Sequence, residues 1–189
     1  MSSILEYGLD SPARALLLLA LSIKDREQKE SMNILHFQKT ILYFERLQEE
    51  KEIEFSNFLY GGVSYELQEN LETLVECGLV NKVGGKYELT KEGEKVVGEV
   101  IKQYDKETIR KLTFAKEQLN DLPDKELLFL MYMLFPDTQA NSIEFQKLYA
   151  ERLTIVPKLF LKGRINSHTA AKWLGISEKE FLESLSNKE

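Results

Sequence analysis

The segment Asn166-Ser167-His168-Thr169-Ala170-Ala171-Lys172-Trp173-Leu174-Gly175-Ile176-Ser177-Glu178-Lys179-Glu180-Phe181 reads as two short helices around a tight turn. Small Ala171 lets the helices approach, and Gly175 can take the left-handed conformation that ends the first of them. Ser177 starts the second helix, and Glu180, three residues on, completes a capping box. Ile176 and Phe181 stand at the two positions of a hydrophobic staple, where apolar contacts close the corner. This is the pattern of a helix-turn-helix, the commonest scaffold for laying a helix in the DNA major groove.

The charge around this segment departs from that of the rest of the chain. Residues 151–189 hold seven Lys/Arg against five Asp/Glu, a net of +2, whereas residues 1–150 hold eighteen against twenty-six, a net of −8. Between Arg152 and Lys172 no acid interrupts Lys158, Lys162 and Arg164, so a basic approach leads into the helix pair. The overall charge of −6 argues mildly against a general nucleic-acid binder. A solvated basic face is the bland alternative.

Upstream, Asp10 or Ser11 can cap a helix with Pro12 in its first turn, and Leu16 to Ile23 is apolar nearly all round, as in a buried helix. Residues 24–31 are polar and loop-like. Ile34, Phe37, Ile41, Phe44 and Leu47 recur every three or four residues, predicting a helix from about Asn33 to Glu50, with Ile53-Glu54-Phe55 a candidate short strand. Phe58 to Ser64 is a turn into a third helix with the stripe Leu67, Leu71, Leu74 and Val75, closed by Gly78. Val80–Val83 and Lys86–Leu89 flank Gly84-Gly85, a two-residue hairpin signal, and Thr90 caps another helix. Helix, helix, helix, hairpin is the order of a winged helix, with the hairpin as its wing.

From Lys91 to Leu122 the apolar positions are separated only by threes and fours, which predicts a long amphipathic helix with a break allowed near Asp105. Its stripe requires a partner, either the rest of the chain or a second copy, and a homodimer through this helix is expected. Pro123 stops it. Asp124 to Phe135 and Ile143 to Leu153 are two further helices, and Pro157 is expected to interrupt the chain beyond them. The expected fold is mostly α: a winged helix with its small β-hairpin over residues 1–100, a long helix and helical connector over 101–160, and the C-terminal helix-turn-helix over 161–189.

Two segments carry resemblances. Leu59-Tyr60-Gly61-Gly62-Val63-Ser64-Tyr65-Glu66-Leu67, continuing to Leu71, Leu74, Gly78, Leu79 and Val80, resembles part of the YwgA-like and Panacea-type domains, and Gln38-Lys39 to Leu42-Tyr43 resembles their preceding helix. Those domains carry an aromatic-Gly-Pro-aromatic-Ser turn, then a helix ending in Gly-Leu-Val; here Gly62 replaces the proline and Val63 the aromatic. The resemblance covers roughly residues 33–97 and implies a winged helix; Panacea-type domains are linked with toxin neutralisation, and winged helices at large mostly bind DNA. At the C-terminus, Ala170, Ala171, Leu174, Gly175, Ile176, Ser177, Glu180 and Phe181 match a run shared by short antitoxin-like helix-turn-helix proteins of bacteria and archaea. Both resemblances imply regulation by binding.

The leading expectation is therefore a cytosolic DNA-binding transcriptional regulator. Arg164, His168, Lys172 and Lys179 at the C-terminal unit and Lys82 and Lys86 on the wing are the candidate DNA contacts. Phe181, Leu182 and Leu185 are expected to face inward, with Lys179, Glu183 and Ser186 outward. Glu178 and Glu180 suit the positive end of the helix dipole but would also meet approaching phosphates. The helix from Ser64 to Cys77 displays Glu66, Glu69, Glu72 and Glu76 and no Lys or Arg. That acidity motivates the alternative, an antitoxin-like module docking a basic protein partner on this face.

No catalysis, metal or cofactor is expected. His36 reads as a packing or surface histidine, and Cys77 as a buried small hydrophobe. The histidines and the single cysteine lack zinc spacing, and no phosphate-binding glycine loop is present. The apolar runs Ala15–Leu21 and Leu127–Phe135 are short of the roughly 20 residues that span a bilayer, and no secretory signal is visible.

Overall fold

The structure, a computed structural model, describes residues 7–58, 61–140 and 142–186. Among these residues the chain is mostly helical, with ten α-helices, a three-stranded antiparallel sheet and a two-stranded sheet. It divides into two compact units: residues up to 56 together with 62–122, and residues 57–61 together with those from 123 onward. Residues 101–122 thus group with the N-terminal part and 123–160 with the C-terminal helices.

The first unit is built on α1 (Pro12–Ser22), in which every side chain from Ala15 to Leu21 is buried. A helix apolar all round has to be surrounded. Here the helices Tyr65–Glu76 and Lys91–Val100 and the strand Lys86–Leu89 lie against it. The strand β1 (Met32–Asn33) leads into α2 (Ile34–Arg46), whose first turn is capped by the Asn33 side chain accepting the His36 N–H at 2.9 Å. The helix stops at Arg46 and does not reach Glu50, because the Glu45 carboxylate accepts the backbone N–H groups of Ile53 at 3.1 Å and Glu52 at 3.2 Å and folds the chain back. Ile53 to Phe55 are not a strand; β2 is Ser56–Phe58 and pairs with β3 (Gly61–Val63).

The Ser64 hydroxyl caps α3 (Tyr65–Glu76), and Leu67, Leu71 and Leu74 are its buried stripe. The buried stripe ends at Leu74, and Cys77, the C-cap residue expected inside, is exposed. Gly78, at φ +73°, ends the helix while the Leu79 N–H donates back to the Leu74 carbonyl at 3.1 Å. Strands β4 (Val80–Val83) and β5 (Lys86–Leu89) form the hairpin predicted from Gly84-Gly85, both at positive φ. β1 pairs with β5, Met32 opposite Tyr87, giving the sheet order β1–β5–β4.

The predicted long helix is two helices, α4 (Lys91–Val100) and α5 (Lys106–Leu119), separated by a single 3-10 turn and an extended Tyr104. Asp105 starts the second by accepting the Thr108 N–H at 2.7 Å, and Tyr104 donates its hydroxyl to the Pro12 carbonyl at 3.2 Å. The stripe Leu112, Ala115 and Leu119 is buried within the chain, with α5 packed on α2. It is therefore not left open for a second copy. His36 is a packing histidine: its Nε2 lies 2.8 Å from the Leu122 carbonyl and its Nδ1 2.9 Å from Asn33 Oδ1.

In the second unit α6 (Asp124–Leu134) packs on α7 (Ile143–Ala150) and α8 (Arg152–Leu161). Pro157 does not interrupt α8; it lies inside it. Proline there removes one hydrogen bond, at a cost of about 3 kcal/mol, but Ile155, Val156 and Leu159 are buried on the same helix and each contributes about 1.5–3 kcal/mol. The last elements, α9 (Ser167–Leu174) and α10 (Glu178–Ser186), pack on each other, and α9 on α8. Edge-to-face pairs of Phe129 with Trp173 at 5.9 Å and Phe160 with Phe181 at 5.1 Å tie α6 to α9 and α8 to α10. No helix among the described residues is long and apolar enough to cross a membrane.

Candidate functional site

The α9–α10 pair is constructed as its sequence implies. Asn166 caps α9, its side chain accepting the Thr169 N–H at 2.8 Å. Gly175 sits at φ +73°, and the Ile176 N–H reaches back to the Ala171 carbonyl at 3.1 Å. This is the six-to-one bond of a Schellman ending. Ser177 and Glu180 close a reciprocal capping box: the Ser177 N–H donates to Glu180 Oε2 at 2.8 Å and the Glu180 N–H to Ser177 Oγ at 3.2 Å. The Ser177 hydroxyl and backbone hold the Glu180 carboxyl below its ordinary value. Ala170, Ala171 and Phe181 are buried at the corner. Ile176, the other member of the expected staple, is 40% exposed.

The candidate contacts of this pair share its surface with carboxylates. His168 is exposed with its Nδ1 4.0 Å from Glu178 Oε2, and the Ser167 hydroxyl donates to the other oxygen of Glu178. Lys179 lies 3.8 Å from Glu183, one turn on. Lys172 is exposed in the last turn of α9, where a cation suits the negative end of the helix dipole. Arg164 is half-buried, with Nε and Nη1 withdrawn from solvent. Leu182, expected inside, is 44% exposed. The nine-residue helix α10 covers a single row, Phe181 with half-buried Leu185.

In the first unit the outer side of α3 carries Tyr65, Glu69, Glu72 and Glu76, spaced four, three and four residues apart and thus on one stripe. With Gln68 and Thr73 they line a shallow groove of about 410 Å³. Lys82, an expected wing contact, is exposed on β4 and lies beside a carboxylate of α3. Its Nζ lies 2.8 Å from Glu72 Oε1 and 5.0 Å from the Tyr87 ring centre, while the Tyr87 hydroxyl donates to the same Glu72 oxygen at 3.0 Å. The Lys82 hydrogen bond, then that of Tyr87, holds Glu72 below the ordinary carboxylate range. Lys86 is exposed on β5.

Two features escaped the sequence reading. Leu153 and Leu161 on α8 are 65% and 73% exposed, beside exposed Lys158. Their spacing of eight residues is a legible signal, but it means something only once Pro157 is known to lie within a helix. The other is a set of buried ionisable groups inside the first unit. Lys116 Nζ donates to the Ala20 carbonyl at 2.8 Å and the Glu30 carbonyl at 2.6 Å, and burial pulls it down to about 7 against the opposing effect of Asp25 and Glu30. Lys39 donates to the Gly62 carbonyl at 2.7 Å and burial brings it to about 8. Burial pushes Glu45 up to about 7 despite its bonds from Ile53 and Glu52. These groups tie α2 and α5 to backbone of a neighbouring helix, strand or loop.

No protein-family model matches this chain, and no curated protein or solved structure matches it either.

Proposed function

We propose that the chain is a cytosolic, non-enzymatic DNA-binding transcriptional regulator that docks through α9 and α10. The single observation behind this reading is the construction of that pair: a left-handed glycine at the corner, a Schellman ending, a capping box and a buried Ala-Ala-Phe contact. A winged-helix reading of the first unit is supported by the order of three helices and a hairpin, with β1 joining the hairpin's second strand. Lys172 and Lys179 are the principal phosphate contacts, with His168 beside them and Arg164 at the margin. The carboxylates beside them do not forbid this, because exposed ion pairs are worth about 0–1 kcal/mol and a phosphate can replace the partner. Base readout is limited, since α10 offers a groove only Lys179 among the usual reading side chains.

Two to four phosphate contacts imply a log–log salt slope of roughly −2 to −4 on duplex DNA. Fluorescence anisotropy with pooled genomic fragments should show that slope, and the double variant Lys172→Glu, Lys179→Glu should lose binding at every salt concentration. No binding at about 50 mM salt would sink the proposal.

The stripe Tyr65, Glu69, Glu72 and Glu76 favours a second reading, an antitoxin-like module whose α3 takes a basic protein. A groove-inserted α3 would meet phosphates with carboxylates as its only charged side chains, whereas a basic protein surface complements it. Co-expression with the product of a small neighbouring gene is the test. A stoichiometric complex that Glu69→Lys, Glu76→Lys disrupts would support it, and the absence of any complex would count against it.

A further inference from the structure

We infer that α8 of one copy docks on the acidic face of α3 of a second copy, so that the chain associates head to tail through two different surfaces. The most exposed large apolar side chains among the described residues are Leu161 at 73%, Leu153 at 65% and Tyr65 at 64%. The first two lie on α8 and the third on α3. On α8, Leu153 and Leu161 are on the side turned away from the buried Ile155, Val156 and Leu159, and exposed Thr154 and Lys158 share that side. Lys162, at the helix end, is held 2.8 Å from Glu126 and flanks it. The face is thus an apolar ridge edged by cations. On α3, Tyr65 stands at the head of Glu69, Glu72 and Glu76, with Glu66 beside it. Lys82 already neutralises Glu72, which leaves Glu69 and Glu76 as the principal anions.

Charge complementarity selects this occupant. An α8-to-α8 contact would bring Lys158 of the two copies together, with no carboxylate on the exposed ridge to separate them. The α3 stripe presents the opposite sign, with its own exposed aromatic to cover a leucine. The asymmetry extends beyond the two helices, since residues 1–150 carry −8 and 151–189 carry +2. The stripe of α5 is buried on α2, so it does not compete as the self-association surface. The contact depends on charge as much as on apolar area, so added salt weakens it. It is independent of whether α9 and α10 bind DNA.

Sedimentation velocity on the full chain tests this at roughly 20 and 300 mM salt. The expected result is association at low salt that weakens by about tenfold or more at high salt. Leu161→Asp should abolish it by spoiling the ridge, and Glu69→Lys, Glu76→Lys by reversing the stripe. Both sites are exposed, and unchanged circular dichroism would confirm that the variants fold. Mixing the two variants is decisive, because each retains the surface the other lacks. One intact contact should return, giving a complex that stops at two chains. A wild-type monomer at low salt would overturn the inference. So would association that strengthens with salt, survives the α3 reversal, or fails to reappear in the mixture.

Discussion

At the scale of single residues, the buried ionisable groups decide how stability should respond to pH. Lys116 sits near 7 in the folded chain and near its ordinary 10.5 when unfolded. Folding therefore favours its neutral form. Its contribution is complete above about 10.5 and is lost as pH falls through about 7. Lys39 acts in the same direction, from 10.5 down to about 8. Glu45 has the opposite sign of shift, from 4.5 to about 7, so its contribution is complete below 4.5 and lost as pH rises through about 7. These groups together place a minimum of stability near neutrality, with slopes of at most about 1.4 kcal/mol per pH unit for each group and less for Glu45, which solvent partly screens. Urea unfolding at pH 5, 7 and 9 checks this. Glu45→Gln should flatten the fall between the first two values and Lys116→Met the rise between the last two. Unchanged slopes in both variants would refute the assignment.

At the scale of elements, backbone geometry separates glycines that look alike in sequence. Gly93 and Gly98 both lie in α4. A Cβ at Gly93 would sit 2.2 Å from the Leu79 carbonyl oxygen, a backbone atom that cannot yield cheaply, whereas one at Gly98 meets nothing within 4 Å. Gly98→Ala should stabilise the chain by about 0.5–1 kcal/mol through helix propensity. Gly93→Ala should destabilise it by about 2 kcal/mol or more, since the helix and the start of β4 must separate. Gly175→Ala is intermediate. The space is open, but φ is +73°, so about 1 kcal/mol of left-handed strain is expected. Thermal melts of the three variants rank them, and an equal effect of Gly93→Ala and Gly98→Ala would contradict the contact. Caps, turns and short stripes were legible because each is decided by residues within about four positions. Pro157 within α8 is not legible in this way, for the complementary reason. Whether a helix tolerates proline depends on what its other faces bury, and Ile155, Val156 and Leu159 are buried on a helix that packs against α6, α7 and α9, which no pattern within α8 itself reveals.

At the scale of the whole molecule, two units with separate cores should lose structure separately. The single tryptophan, Trp173, belongs to the second unit and packs on Phe129. Its fluorescence reports that unit alone, while far-ultraviolet circular dichroism reports both. Unfolding followed by the two probes should give transitions with different midpoints, and coincident curves would indicate one cooperative structure.

Local order in the chain determined its mainly helical class, the Gly84-Gly85 hairpin, the caps at Asn33, Ser64, Thr90 and Asp105, and the capped corner at Gly175. These are set by hydrogen bonds between near neighbours, so residue type and spacing carry them. Tertiary structure alone decided where the stripe of residues 91–122 goes, because a period of three or four names a face and not its partner. Packing of α5 on α2 answered that within one chain, and Asp105 supplied the break that made it possible. Tertiary structure also decided the state of the candidate cations. Lys82 lies on Glu72, Lys179 beside Glu183 and His168 beside Glu178, while Arg164 is partly withdrawn from solvent. A count of charges along the chain misses this because a side chain's availability is set by its neighbours in space. The helix corner was written in the sequence; the mixed charge of the surface it presents emerged only on folding.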